Sequence, residues 1–461
     1  MTTRNWDGTT NGYSNAADWS PTGSPQAGDV AVITSGMVKI CRSDLAPSLR
    51  LEFAPTSVSL QVSLDETAIL PSDEVDILAG RNPAGVRLAL LGNVVNFGAV
   101  NTQADGNGVA ASSTLAVGTL NGAGGLFYNF GSITLENGSS GIMSADGIAG
   151  DGLVNDGIIR ILRPGPDLVV ATLQLPVSGT GLIEIGAGSI VTVQSVGVGQ
   201  TISFDQAGSL YSQLTIGSNA TVAGSIAGFG ANDSMQISTV TYDSRQLSFS
   251  DGVTTVAFLA SGTVVYNLRF QGAYTQSQLI FSSYTGSSGT ESTTIRGAVG
   301  TVFASAQPST APNVFRFFDA ATGTHFFTDD PNEAATVSST RPDLVIEGVG
   351  FESVDPAVKD PNAAAVYRFF DQTDGTHFFT ASGSEKAAII ATRPDLTFEP
   401  NSTFYEHTTA QAGDTPVYRF FDSVHGTHFY TASSVEQAGV VNSRPDLVLE
   451  GIAFYAPARP S

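Results

Sequence analysis

Histidine is missing from the first 312 of the chain's 461 residues; all five, His325, His377, His407, His425 and His428, come later. The long N-terminal part therefore lacks the commonest general acid/base and the commonest metal ligand. Cysteine is reduced to Cys41, which cannot form an internal disulfide and leaves the redox compartment open. Lysine stands only at Lys39, Lys359 and Lys386, and charged residues make up 13% of the chain against a typical ~25%. The 42 acidic and 20 basic side chains give a net charge of -22 with no Lys/Arg-rich stretch. A phosphate backbone would be repelled, so nucleic acid is excluded as a partner. No run approaches the ~18 to 20 apolar residues of a membrane-spanning helix. The start, Met1-Thr-Thr-Arg-Asn-Trp6, lacks the charged-then-apolar run of a secretory signal.

What the chain does have is glycine, 50 residues, together with abundant Ser, Thr and Asn. From about residue 86 short apolar runs are broken by Gly and Asn at close intervals. Gly92-Asn-Val-Val-Asn96-Phe-Gly98 returns as Gly125-Leu-Phe-Tyr-Asn129-Phe-Gly131 and as Gly152-Leu-Val-Asn155-Asp-Gly157, the asparagines 33 and then 26 residues apart. Irregular repeats of this size, each too small to bury its own apolar face, predict a solenoid. The physical reading is mainly β: a right-handed parallel β-helix whose alternate side chains stack inward. Gly and Asn at the corners would supply positive φ, and stacked asparagines would hydrogen-bond between coils. A β-sandwich or jelly roll is the alternative, since strand signals alone do not fix parallel stacking. The expected organisation is a cap with first coils over 1–85, the solenoid over 86–285, and a linker over 286–312, where a Ser/Thr/Gly/Ala/Pro mixture shows no apolar periodicity.

Asn5-Trp6-Asp-Gly8, Asn15-Ala-Ala-Asp-Trp19-Ser-Pro21 and Pro25-Gln-Ala-Gly28-Asp29-Val-Ala-Val-Ile33 resemble the opening of bacterial surface β-solenoid proteins of the adhesin and autotransporter-passenger type. So does Ile226-Ala-Gly-Phe229-Gly-Ala-Asn-Asp233-Ser-Met-Gln-Ile237. The resemblance implies that the opening segment caps the first coil, with Trp6 and Trp19 over its apolar end, and that the protein is extracellular or at the cell surface, exported without a cleaved N-terminal signal. β-Helix lyases and glycosidases carry carboxylate clusters on one face. The densest acidic group here, Asp65-Glu66 with Asp73-Glu74-Val-Asp76, reads first as a solvated turn suited to calcium. Asp105-Gly-Asn107-Gly108 is a fragment of a calcium loop, too short to specify an ion.

Residues 313–461 hold three copies of one unit, at about 313–360, 365–411 and 416–461. Arg316-Phe-Phe-Asp319, Arg368-Phe-Phe-Asp371 and Arg419-Phe-Phe-Asp422 each precede a Gly-Thr-His segment, the histidines being His325, His377 and His428, nine residues after the arginine. Eight residues past each histidine stands Glu333, Glu385 or Glu436, and sixteen past it begins Arg341-Pro-Asp343, Arg393-Pro-Asp395 or Arg444-Pro-Asp446. Six further on comes Glu347, Glu399 or Glu450, then an aromatic close. Each unit reads as strand, Gly turn, strand, short helix, strand, and three units close most economically into a pseudo-threefold ring, trefoil-like or propeller-like. The set resembles an uncharacterised tandem repeat of secreted bacterial and fungal proteins, often found after hydrolase domains.

Arg316, Arg368, Arg419, Asp319, Asp371, Asp422 and the three histidines are the ligand-binding candidates. They have three readings: ion pairs and hydrogen bonds that define the fold, one ligand site per unit as in trefoil lectins, or a three-histidine metal site on the axis. Residues 313–456 hold 20 acidic against 8 basic side chains, which disfavours an anionic polysaccharide unless calcium bridges it. The expectation is a non-catalytic extracellular solenoid with a binding head for a glycan or surface partner. A self-assembling filament or surface-layer subunit is the first alternative, and a polysaccharide lyase or glycoside hydrolase on the β-helix the second.

Overall fold

The computed structural model describes residues 3–6, 16, 19–26, 29–33, 37–41, 50–53, 60–65, 68–69, 71, 74–80, 86–91, 93–104, 112–118, 125, 126–136, 138–144, 152–163, 169–206, 210–285 and 291–457. The chain divides into two compact units, residues 1–308 and 309–461.

The first unit is a β-solenoid of about five turns. A representative turn runs Val94–Asn96, Ala99–Ala104 and Ser112–Gly118; the next runs Leu126–Asn129, Ser132–Glu136 and Gly138–Ser144. Strand lies on strand in parallel register, Val94 on Phe127, Ile133 on Ile159 and Leu115 on Ile142. The period-2 alternation decides what is inside: Ile159 and Ile161, Val169, Ala171 and Leu173, Ile183 and Ile185, Val191 and Val193 are all buried. Fully burying each of these Val, Leu and Ile side chains is worth roughly 1.5 to 3 kcal/mol.

The repeated Asn-x-Gly corner has two separate causes. The asparagines form an internal ladder: Asn96 Nδ2 donates to Asn129 Oδ1 at 2.7 Å, Asn129 Nδ2 to Asn155 Oδ1 at 2.7 Å, and Asn155 Nδ2 to Gln200 Oε1 at 2.9 Å. All four side chains are buried, and backbone partners complete the ladder: Asn96, Asn129 and Asn155 also donate to the carbonyls of Ser132, Ile158 and Leu182, and Gln200 to those of Asn155 and Ser178. At this corner the glycines answer to contact, whereas the expected positive φ is found at other solenoid turns, at Gly179 and Gly188. Gly131 and Gly157 are not left-handed, but a Cβ on Gly131 would lie 2.0 Å from the Gly98 carbonyl oxygen, and one on Gly157 2.2 Å from that of Gly131.

Both ends of the stack abandon parallel pairing. At the start, Thr3–Trp6 runs antiparallel to Trp19–Ser20, and Trp6 meets Trp19 edge to face with ring centroids 5.2 Å apart, both rings buried. Arg4 Nε donates to Asp29 Oδ2 at 2.9 Å beside them. At the other end, parallel pairing reaches Thr263–Gln271, laid on Ser225–Ala227, on one sheet and stops at Asp233–Ser238 on the other, short of the expected residue 285. That strand pairs antiparallel with Glu291–Gly297, which pairs in turn with Leu279–Thr285. Thr263–Gln271, Val253–Ala260 and Ser244–Ser250 form an antiparallel meander on the first of these sheets.

The expected linker over 286–312 is therefore corrected. Glu291–Gly297 is a strand of the terminal sheet, Phe303 stacks on Tyr274 at 3.9 Å, and the Ala306 amide donates to Ser203 Oγ. Its Ser/Thr-rich composition lacked long apolar runs because one strand covering a finished core needs only an alternate apolar contact, here Ile295.

The second unit repeats a three-stranded antiparallel motif with one helix three times; the first motif is a sheet of its own, and the second and third join through His407 and Tyr455 into one six-stranded sheet. The first has Asn313–Asp319 between Thr324–Thr328 and Leu344–Glu352, with helix Pro331–Thr340. The second has Ala363–Asp371, His377–Thr380, helix Gly383–Thr392 and Leu396–His407; the third Thr415–Asp422, His428–Thr431, helix Ser434–Ser443 and Leu447–Ala456. The helices are capped by Asp330, Ser382 and Ser433, whose side-chain oxygens accept from backbone amides of the first turn. One core residue of each kind comes from each copy. Phe327, Phe379 and Tyr430 form one aromatic trio, Phe351, Phe404 and Phe454 another, and Val314, Val366 and Val417 pack with them.

Candidate functional site

The Arg-Phe-Phe-Asp segment ends the central strand of each motif, and its aspartate shapes the turn that follows. Asp319 Oδ1 accepts from the Ala321 amide, Asp371 Oδ1 from that of Thr373, and Asp422 Oδ1 from that of Val424, each at 2.8 Å. Gly323, Gly375 and Gly426 close these turns with φ of +70°, +72° and +75°, which favours glycine. Asp422 Oδ2 also faces His425 Nδ1 at 2.8 Å. The three aspartates thus carry a turn-forming role that recurs in every copy.

The arginines link the units into a ring. Each lies beside the glutamate of its own third strand: Arg316 Nε is 2.7 Å from Glu347, Arg368 Nε 2.7 Å from Glu399 and Arg419 Nε 2.6 Å from Glu450. Each also reaches the first-turn glutamate of the preceding unit's helix. Arg368 makes a fork to Glu333 at 2.8 and 2.7 Å, and Arg316 a fork to Glu436, both bonds 2.8 Å. Arg419 reaches Glu385 through Nη1 alone, at 3.0 Å. The first unit thereby pairs with the third, the second with the first and the third with the second. Burial opposes ionisation of Glu333, Glu385 and Glu436, yet hydrogen bonds from the arginines, with their charge, hold all three below the usual carboxylate range.

The histidines follow the same cycle without meeting on the axis. Phe326 packs edge-on to His377 at 4.9 Å, Phe378 to His428 at 4.8 Å and Phe429 to His325 at 5.0 Å, always across a junction. Burial, with the adjacent guanidinium, pushes His377 down to about 3 and His428 down to about 4, and burial holds His325 below its ordinary value. All three are neutral at pH 7. His325 Nε2 lies 2.8 Å from Arg316 Nη2 and 3.1 Å from Glu347. Among the described residues no group of three His, Cys, Asp or Glu is placed to hold a metal ion.

Three departures from the repeat make the junctions unequal. The second unit carries one extra residue between Glu399 and Phe404, and Ser402 in that insertion hydrogen-bonds Arg368 Nη2. The Arg368 side chain is 3% exposed, against 16% for Arg316 and 18% for Arg419. At the junction of the second and third units a cavity of about 190 Å³ opens beside Arg419, between Thr380, Ser382 and Glu385 on one wall and Glu450, Ile452 and Ala453 on the other. A second, of about 170 Å³, lies across Arg419 and touches His377, His428, Arg393 and Thr427.

The third departure is a carboxyl pair, Asp329 and Glu406, at positions where the other copies have Ala381 and Ala432, and Ser353 and Ala456. Burial, reinforced by Asp329 and Asp414, drives Glu406 up to about 10, and burial raises Asp329 to about 6. Beside them His407 is held between Asp414 at 2.8 Å and Asp360 at 3.2 Å, whose hydrogen bonds outweigh its burial and raise its pKa. These features were not among the sequence candidates, although each shows as a break in the threefold pattern.

In the solenoid, Asp65 ends the strand Leu60–Asp65, and Glu74 and Asp76 lie in Glu74–Gly80. Glu66, Asp73 and the Asp105–Gly108 stretch lie outside the described residues. No helix of the described residues is long and apolar enough to cross a membrane.

No curated protein matches the chain. Residues 313–457, the three units with their closing aromatics, match the family described as "Domain of unknown function (DUF5648)", so the ring of Arg–Glu pairs is the framework of a DUF5648 domain at the C-terminus.

Proposed function

We propose that the chain is a non-catalytic extracellular or cell-surface protein in which a β-solenoid displays a C-terminal binding head for a glycan or surface partner. The observation that carries this reading is the cleft lined from two units at once around Arg419, with carboxylates, guanidiniums and hydroxyls converging on a cavity. Polar groups on both walls of a concave site are what orientation-specific binding requires. The neutral, Arg-flanked histidines favour binding over acid/base chemistry, because a general acid or base works best with a pKa near the operating pH. Calcium would be needed only for an anionic ligand, since the head is acidic.

The antiparallel ends and the tryptophan pair favour a solenoid that stops over one that stacks end to end. The filament reading therefore ranks second, and light scattering should give a single-chain mass. The deciding experiment applies the full chain to an array of neutral, sulfated and uronic-acid oligosaccharides and to polysaccharide-cleavage assays. Saturable glycan binding without cleavage is expected; cleavage without retention would overturn the reading.

A further inference from the structure

We infer that the junction between the second and third units holds a neutral, polyhydroxylated ligand, a single hexose-sized ring of a glycan, so that the three-unit head is monovalent. This rests on the glycan-binding reading above and adds which junction binds, how many ligands bind and of what charge.

The three junctions offer the same residue types but different accessibility. At the first–second junction Ser402 seals Arg368, which is already forked to Glu333 and bonded to Glu399. At the third–first junction Arg316 spends both Nη atoms on Glu436, and one of them also lies against His325 Nε2. Arg419 is paired to Glu385 through a single Nη atom and borders open cavities on two sides. Gly451 adds room there, for a Cβ built on it would meet nothing within 4 Å.

Size and charge define the ligand. Cavities of about 190 and 170 Å³ fall below the ~300 Å³ at which sites for drug-sized molecules begin, which leaves space for one ring and its substituents. Their walls carry the carboxylates of Asp371, Glu385 and Glu450 against the guanidiniums of Arg393 and Arg419, while His377 and His428 add no charge. An anionic sugar would be repelled by this excess. Hydroxyl groups suit it, because each can donate to a carboxylate and accept from an arginine. The Thr427 hydroxyl, buried on the cavity wall, has no partner, whereas its counterpart Thr324 bonds Thr322 at 2.8 Å. Ile452 and Ala453 give the apolar surface that the C–H face of a sugar ring needs.

The test uses the full chain with a panel of methyl glycosides of neutral hexoses and of uronic acids, read by saturation-transfer NMR and titration calorimetry. At least one neutral glycoside should bind with a stoichiometry of about one per chain, in preference to the uronic acids. Ile452→Trp, which plugs the cavity from an exposed position, should weaken binding at least tenfold with an unchanged unfolding midpoint. Arg419→Lys should weaken it as well, while Asn401→Trp at the sealed junction should leave it intact. Three bound ligands per chain, a preference for uronic acids, or unaltered binding by Ile452→Trp would overturn the site while leaving glycan binding standing. If no saccharide of either panel or of the array binds, the functional reading itself fails.

Discussion

The two regions solve the same problem, the satisfaction of a repeated polar residue, in opposite ways. In the solenoid a buried asparagine is satisfied by a copy of itself one coil on, and the series Asn96, Asn129, Asn155 ends on Gln200. In the head a repeated arginine is satisfied by a different repeated residue, the helix glutamate of the adjoining unit, and the last unit adjoins the first. A line of repeats needs special residues at both ends; a ring needs none. This explains why the chain's only tryptophans cap the start of the solenoid and why the solenoid turns to antiparallel pairing at its ends, while the head repeats its Arg–Glu link at every junction.

The largest effect should come from breaking the line at its end. Trp19→Ala removes a buried ring from the cap and should cost about 4 kcal/mol, within the ~3 to 5 expected for such truncations. It should lower the unfolding transition of the solenoid and leave that of the head in place, as calorimetry of the full chain would reveal. A single transition shifted as a whole would contradict the separation of the two units.

Breaking the ring comes next. Arg368→Ala strands Glu333 and Glu399 and should destabilise the head by about 3 kcal/mol, the low end for a broken buried pair because both glutamates are about one-third exposed. Arg419→Ala should cost less, its pairing being single and more open. Equal losses at the two sites in denaturant titrations would refute the inequality of the junctions.

Within the ladder, Asn129→Ala removes the side-chain acceptor of Asn96, which keeps only the Ser132 carbonyl, and the side-chain donor to Asn155 Oδ1, and should cost about 2 kcal/mol. Substituting all three asparagines with similarly sized apolar residues should cost less than the sum of the single changes, since the orphaned groups then disappear together.

The pH dependence is smaller and carries opposing signs. His377 and His428 have folded pKa values of about 3 and 4 against an ordinary 6.5, so they bind fewer protons folded than unfolded. Their contribution is complete above about pH 6.5 and is lost as the pH falls toward those values, roughly 1 kcal/mol for the pair between pH 7 and pH 6. His407 acts in reverse: its stabilisation is complete below 6.5 and fades as the pH rises through its raised folded value. Replacing His377 and His428 with Phe should flatten the acid side of the stability curve, and His407→Phe the neutral side.

The smallest change should be a gain. Glu406→Ala restores the residue found at the equivalent Ala456 and removes a carboxyl group with two unpartnered buried oxygens, which should stabilise the head by about 1 kcal/mol. A loss of stability in urea titrations would mean that the Asp329–Glu406 pair supports the ring.

Much of this was legible in the sequence where distance along the chain equals distance in the fold. The Asn-x-Gly repeat marked the stacked corner, although Gly131 and Gly157 answer to the approach of a neighbouring carbonyl, and positive φ falls at other turns such as Gly179 and Gly188. The Arg-to-His spacing fixed three equivalent hairpins, and the two tryptophans marked a cap. The strand Glu291–Gly297 was hidden because a polar strand on a finished core carries little apolar signal.

By itself the sequence determined the repeats, their registers and their residue types, since these follow from local periodicity and steric preference. Only the tertiary structure decided that the repeated aspartates shape turns, that each arginine reaches the helix of the preceding unit, and that one inserted serine closes one junction while another stays open. The physical reason is that ion pairing across the junctions depends on groups brought together from 34 or more residues apart, and identical spacing within each copy is silent about which copy becomes the neighbour.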